Sequence, residues 1–220
     1  MGYFPGELVY NACMARLSYK EQVQRLREDS IVEAVNRLLA TKGYDSMTVD
    51  EVAAEAGMAK ASLYKHFASK EELAAAAMVR ALDRAIAFVD GLRQRAEGSA
   101  LDQLKAVARW AMESQLVGEM PSLPSQNSSL TASLLSNEAY MDRLVDLSNK
   151  LGIWITQSQT GGLLNPDLPA DMILYTLFAR ACDPVVAMLK ASGQYTDAQI
   201  LEWALTSTFD GLAQKHKPAA

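Results

Sequence analysis

The sequence predicts an all-α protein of about nine helices: a three-helix head with a helix-turn-helix, then a larger helical second domain. Three observations predict it. No segment alternates apolar and polar residues as a strand would. Apolar residues instead recur at helical spacing, as in Ile31, Val35, Leu38 and Leu39. Glycines, prolines and hydroxyl–acid cap pairs then cut the chain into pieces of helix length, with no internal repeat.

The elements follow in order. Residues 1–13 hold Gly2, Pro5 and Gly6 and no periodicity, so translation is expected to start at Met14 with an upstream extension before it. Residues 1–28 read as an extension and basic arm. Its Arg16, Lys20, Arg25 and Arg27 are the alternative, a real arm touching a minor groove. A leading helix, SIVEAVNRLLATKG, stops at Gly43, and Tyr44 behind it reads as core. Thr48 and Glu51 form a capping box that opens a short helix, which Gly57 ends. A second short helix is expected over about Ala59–Phe67, and Ser69 with Glu72 caps a third. Val52, Ala53, Ala56, Met58, Leu63 and Phe67 supply the interior, and Ala53 is small enough to let the two short helices cross closely. Two short helices joined by a tight glycine turn are the unit that lays its second helix in a DNA major groove.

Charge agrees with that reading. The chain has a net charge of −5, and residues 29–80 hold six Lys/Arg against eight Asp/Glu. Between Met58 and Lys70, however, there are Lys60, Lys65, His66 and Lys70 and no acid. Positive charge is thus gathered on one helix and its flank, where a phosphate backbone would lie. A solvated lysine face is the plain alternative.

Gly57 through Leu73, GMAKASLYKHFASKEEL, resembles the N-terminal DNA-binding domain of the TetR family of bacterial transcriptional regulators. The likeness runs from about Asp29 to Leu73, so residues 29–73 are expected to be the DNA-binding domain and 74–216 the ligand-binding and dimerisation domain. The resemblance implies roles residue by residue. Thr48 matches a phosphate-contacting hydroxyl, besides its capping role. Lys60 and Ala61 stand on the first turn of the recognition helix, where lysine can donate to guanine and alanine can touch a thymine methyl. Ser62, Tyr64, His66 and Lys70 match positions that grip phosphate, contacts that fix register without reading sequence. Tyr64 has a packed ring as its alternative, and His66 a partly buried capping side chain. Tyr44 matches the aromatic plug under the motif.

Half of the 220 residues are apolar, enough for a substantial core. Cys13 and Cys182 are too far apart in sequence to form a metal or redox pair, which suits a cytoplasmic protein. No run of about 18 uninterrupted apolar residues is present, and the start does not read as a signal peptide.

Beyond Lys70 helices are expected over about Glu71–Glu97, Leu101–Val117, Leu130–Leu135, Glu138–Gln159, Ala170–Ser192 and Thr196–His216, with a break at EMPSLPSQNSS. Leu104, Val107, Ala108, Ala111 and Gln115 share one side of the second of these. Pro184 should kink the fifth, either opening a pocket or relieving packing. The last two are apolar over more than one face, through Ile173, Leu177, Val185, Met188, Leu201 and Trp203 among others. The resemblance implies that they form a four-helix bundle with a second subunit; burial of both sides within one subunit is the alternative.

The resemblance also places a ligand chamber among the middle helices. Trp110, Gln115, Tyr140, Trp154, Tyr175 and Phe178 are its candidates, with Met112, Met120 and Leu144, although residues of these kinds are more often plain core. Such side chains suit an apolar or aromatic small molecule. Arg109, Arg180 and Asp183 are the charges expected to face inward.

Catalysis is not expected. Only His66 and His216 are present, so no histidine relay or metal cluster can be assembled, and neither a phosphate-binding glycine loop nor a nucleophile elbow occurs. No catalytic residue, metal or cofactor is assigned. The expected protein is a cytoplasmic homodimeric repressor on an inverted-repeat DNA operator, released by a small molecule, with no membrane partner. Activation, or an interaction module that has lost DNA binding, are the alternatives.

Overall fold

A computed structural model describes residues 18–95, 97–121 and 128–213. The expected start at Met14, Arg16, Cys13, His216 and most of the proline-rich break lie outside the described residues. Among those described there are ten helices: α1 (Tyr19–Ser46), α2 (Val49–Glu55), α3 (Lys60–Leu63), α4 (Lys70–Arg95), α5 (Ala100–Leu116), α6 (Ser129–Ser136), α7 (Glu138–Thr160), α8 (Ala170–Arg180), α9 (Pro184–Ser192) and α10 (Asp197–Leu212). The all-α expectation holds.

Local chemistry sets the boundaries. Ser18 accepts from the Glu21 amide while Glu21 reaches back to the Ser18 amide, so α1 begins eleven residues before Ser30 and takes in much of the expected arm. That capping box was legible and was missed. Gly43, at φ 75° and ψ 170°, interrupts α1 as expected. Ser99 and Asp102 form a further box on α5, and Thr196 with Gln199 caps α10.

The expected Ala170–Ser192 helix is two helices. The chain leaves α8 at Ala181, Asp183 caps α9 by accepting from the Val185 amide at 2.9 Å, and Pro184 occupies the first turn. Proline lacks the amide that a continuous helix needs, but loses nothing at a helix start. Residue 184 therefore breaks the run rather than kinking it. By length and composition 170–192 could cross a membrane, with a mean hydropathy of 1.5 over its best window. The break, the Arg180–Asp183 ion pair at 2.6 Å and the buried Ile173, Leu177 and Val186 fit a helix pair packed on a protein core instead.

Two apolar clusters organise the molecule. One joins α1–α3 and the first half of α4, from Ile31 and Val35 through Val52 and Leu63 to Leu73 and Met78, and α6 adds Leu130 and Leu134. The other joins the rest of α4 to α5, α7 and α8–α10 through Val89, Leu104, Met112, Leu151, Trp154 and Ile200. Helix α4 runs through both. Its Asp83 and Asp90 are bound by Arg143 and Lys150 of α7, both at 2.6 Å. Arg80 pairs with Asp29 of α1.

Candidate nucleic-acid interface

The α2–turn–α3 unit is built almost wholly by short-range bonds. Thr48 Oγ1 accepts from the Glu51 amide at 3.2 Å, and Glu51 Oε2 accepts from the Thr48 amide at 3.0 Å. The far end closes with Gly57 at φ 65°: the Met58 amide donates to Ala53 at 2.9 Å and the Gly57 amide to Ala54 at 3.1 Å. This pair of bonds is a Schellman motif, which satisfies the last carbonyls and reverses the chain into α3. Val52, Ala53 and Leu63 are buried, with Ala56, Met58 and Phe67 packed against them.

Helix α3 is shorter than expected, Lys60–Leu63. Beyond it Lys65 and His66 donate amides to Ser62 and Leu63 in tighter turns. Leu63 alone among its residues is fully buried, so one anchor holds the element.

The predicted contact residues divide by environment. Thr48, Lys60, Ala61 and Tyr64 are exposed, Tyr64 by 45%, with its ring turned away from the core. Lys60 Nζ lies 2.9 Å from Asp50 Oδ2 of α2, which raises the lysine's pKa. An exposed pair of this kind is weak, so phosphate or base edges compete for the lysine at little cost. Lys70 Nζ stands 4.3 Å over the Tyr44 ring, on the same side as the start of α4. Ser62 is half-buried. The His66 side chain is only 13% exposed, with Nδ1 3.2 Å from Glu28 Oε1 of α1. It is thus a partly buried side chain tied to α1 rather than a free donor at the surface. Asp50 and Glu28 went unnoticed in the sequence, because their partners lie 10 and 38 residues away with no periodic relation.

Beneath this surface Tyr44 is buried and donates to Glu71 Oε1 at 2.8 Å, and Ser129 Oγ donates to the same oxygen at 2.8 Å. These bonds hold the Glu71 carboxyl below its usual range, and burial raises the Tyr44 phenol.

The six expected ligand residues do not line one chamber. Trp154 is buried in the body cluster, and Trp110 and Phe178 pack against it, Trp110 stacked on Phe88 at 5.1 Å. Tyr140 packs on the head cluster instead, where burial raises its pKa. Tyr175 is 64% exposed. Gln115 is a strut: its Nε2 donates to the Asp183 carbonyl at 2.9 Å and its Oε1 accepts from the Asp183 amide at 3.3 Å. Of the expected inward charges Asp183 is buried and paired with Arg180, whereas Arg109 is exposed. Arg109 lies beside the inward Ala108 on α5 but falls on the polar face, which spacing alone left undecided. The outward side of α8–α10 keeps Met172, Tyr175, Val185, Met188 and Trp203 exposed, Met188 by 72%.

Comparison with known proteins agrees with this geometry. Residues 31–77 match the family described as bacterial regulatory proteins, tetR family. The HTH-type transcriptional regulator AlkX of Mycobacterium tuberculosis is 29% identical over 109 residues, 42% of this chain and 52% of that protein. The chain thus spans about half the length of that curated relative. The fold is similar to that of the regulator FadR from Bacillus subtilis in complex with stearoyl-CoA, at a TM-score of 0.60 and 18% identity over 83% of this chain and 98% of that one. It is also similar to KstR2, a ketosteroid transcriptional regulator of Mycobacterium tuberculosis, at 0.61 and 22% over 86% and 96%. Residues 31–77, which hold the helix-turn-helix, thus carry the DNA-binding domain of the tetR family of bacterial regulatory proteins, and the remaining helices share the fold of those regulators.

Proposed function

We propose that the protein is a ligand-responsive, DNA-binding transcriptional regulator, and a repressor that leaves its operator when a small molecule binds. The observation that carries this reading is the head itself. The Gly57 turn sets α3 against α2, and the stretch from Met58 to Lys70 offers Lys60, Lys65 and Lys70 beside exposed Tyr64 with no acid among them. In this reading the lysines and hydroxyls grip phosphate in the cytoplasm, and Lys60 and Ala61 meet base edges.

A single head covers one half-site, so an inverted repeat calls for a dimer. The apolar side left open on α8–α10, with Val185, Met188 and Trp203, supports pairing of that face with its copy. Occupancy of a promoter by such a dimer blocks polymerase. To release DNA a hundredfold, the effector must prefer the non-binding conformer by about 2.7 kcal/mol. The fold shared with the stearoyl-CoA-bound FadR makes acyl thioesters one class of effector to try.

The test is fluorescence anisotropy with DNA upstream of the protein's own reading frame, at several salt concentrations, beside a Tyr64→Ala, Lys70→Ala variant. Tight binding that weakens steeply with salt and collapses in the variant is expected. Equal, weak binding by both proteins would refute direct operator recognition there.

A further inference from the structure

We infer that an effector seat lies at the seam between the head and the body, and that it takes an amphipathic anion. The inference deepens the regulator reading and rests on it for the effect on DNA. The seam holds a cleft of about 440 Å³, within the range of small-molecule sites. Ala40 of α1 forms its head-side wall. Leu116 ends α5 and Met120 lies just beyond it, Cys182 lies in the α8–α9 break, and Val186 and Lys190 stand on α9. Of the expected ligand residues Gln115 and Met120 reach it.

The lining sets the ligand class. Leu116, Met120 and Val186 offer an apolar bed, and Lys190 is the one charged residue among the described residues that line the cleft. Lys190 is held by Asp197 at 2.6 and 2.8 Å in a half-exposed pair, which an incoming anion exchanges at small cost. Two buried guanidinium Nε atoms without a hydrogen-bond partner belong to neighbours of the lining residues: Arg84, whose other nitrogens bond Glu119 beside Met120, and Arg180, ion-paired with Asp183 and next in the chain to Ala181. Buried donors are rarely left so, and these N–H groups favour a guest that carries acceptors, while its negative charge is matched to Lys190.

Position supplies the coupling. One turn before Ala40, Asn36 Nδ2 donates to the Glu119 carbonyl at 2.9 Å, and Arg84 Nη2 donates to the same oxygen. Glu119 adjoins Met120 on the opposite wall. The body side is stiff, since Gln115 holds Asp183 by two bonds and the Cys182 thiol donates to the Pro121 carbonyl at 3.2 Å. A guest wedged between Ala40 and Met120 therefore displaces α1, and the head with it.

The experiment uses the full chain with Cys13→Ser, which leaves Cys182 as the single thiol. Benzyl methanethiosulfonate forms a mixed disulfide there, verified by mass, and dithiothreitol removes it. Binding of 8-anilinonaphthalene-1-sulfonate is followed by fluorescence and operator DNA by anisotropy. The blocked protein should bind each about tenfold more weakly, both recovering after dithiothreitol, which excludes unfolding as the cause. Lys190→Gln should weaken the sulfonate about threefold. Undiminished sulfonate binding in the blocked protein would overturn the seat. Lost sulfonate binding with unchanged operator affinity would overturn the coupling. An unblocked protein that binds the sulfonate in this cleft but no operator would sustain the seat and fell only the regulator reading.

Discussion

Helix α3 and the α8–α9 pair both show side chains to solvent, but of opposite kinds. The former buries one residue completely, Leu63, and turns Lys60, Ala61 and Tyr64 outward. The latter buries Ile173, Leu177 and Val186 and still turns Met172, Tyr175, Val185 and Met188 outward. Water solvates the first surface well. An exposed apolar strip of the second kind is a partner-binding feature in a stable protein. The difference teaches that one face fits a polyanion that exchanges with water and salt, whereas the other fits an apolar surface that excludes both.

Four variants break or sharpen this contrast. The largest effect is expected from Val185→Asp with Met188→Asp. Both sites are exposed, so the fold should survive while sedimentation shows a monomer and operator affinity falls on the order of a hundredfold. A dimer that persists would refute the assignment of that face. Next comes Leu63→Ala, which removes the sole buried anchor of α3 and should cost about 3 kcal/mol in urea unfolding. A loss below about 1 kcal/mol would mean that the flanking backbone turns at Gly57 and His66, not the anchor, position the helix.

Gly57→Ala should cost about 1 kcal/mol, read from the same melts. An added Cβ meets nothing within 4 Å, so the penalty is one of backbone conformation at φ 65°. Smallest is Glu71→Gln. The folded-state pKa of Glu71 lies below 4.5, so its contribution is fully present above pH 4.5 and is lost as pH falls through the folded value. Wild type should therefore lose stability below pH 4.5 more steeply than the variant. Parallel acid limbs would show that the Tyr44–Glu71–Ser129 cluster carries no such linkage.

What was legible in the sequence was what short-range chemistry decides. Thr48 with Glu51, Gly57, and Thr196 with Gln199 act within a few residues, and the structure has them as read. Ser18 with Glu21 and Ser99 with Asp102 carry the same signal and passed unread, so their neighbours were placed in an arm and a loose helix start. The chamber was a different matter. An aromatic at helical spacing faces inward whether it fills a core, as Trp154 does, or lines a cavity. Which one results depends on helices distant in the chain. Tyr175 and Arg109 show the same limit on apolar and charged residues alike, and the break at Asp183 shows that a proline's meaning depends on the cap before it.

The joint at residue 119 is made by a main-chain oxygen that accepts from Asn36 and Arg84, while the Glu119 amide donates to Ser114 at 2.8 Å. The Glu119 carboxylate adds only an exposed pair to Arg84 at 3.3 Å, so most of the joint is invisible in the identity of its own residue. In a saturation scan position 119 would tolerate most neutral and acidic side chains but not proline, which lacks the amide, while positions 36 and 84 would be far more restricted. A link of this kind can persist through drift of its central residue, and it would be found only by tracing the donors back to the backbone they share.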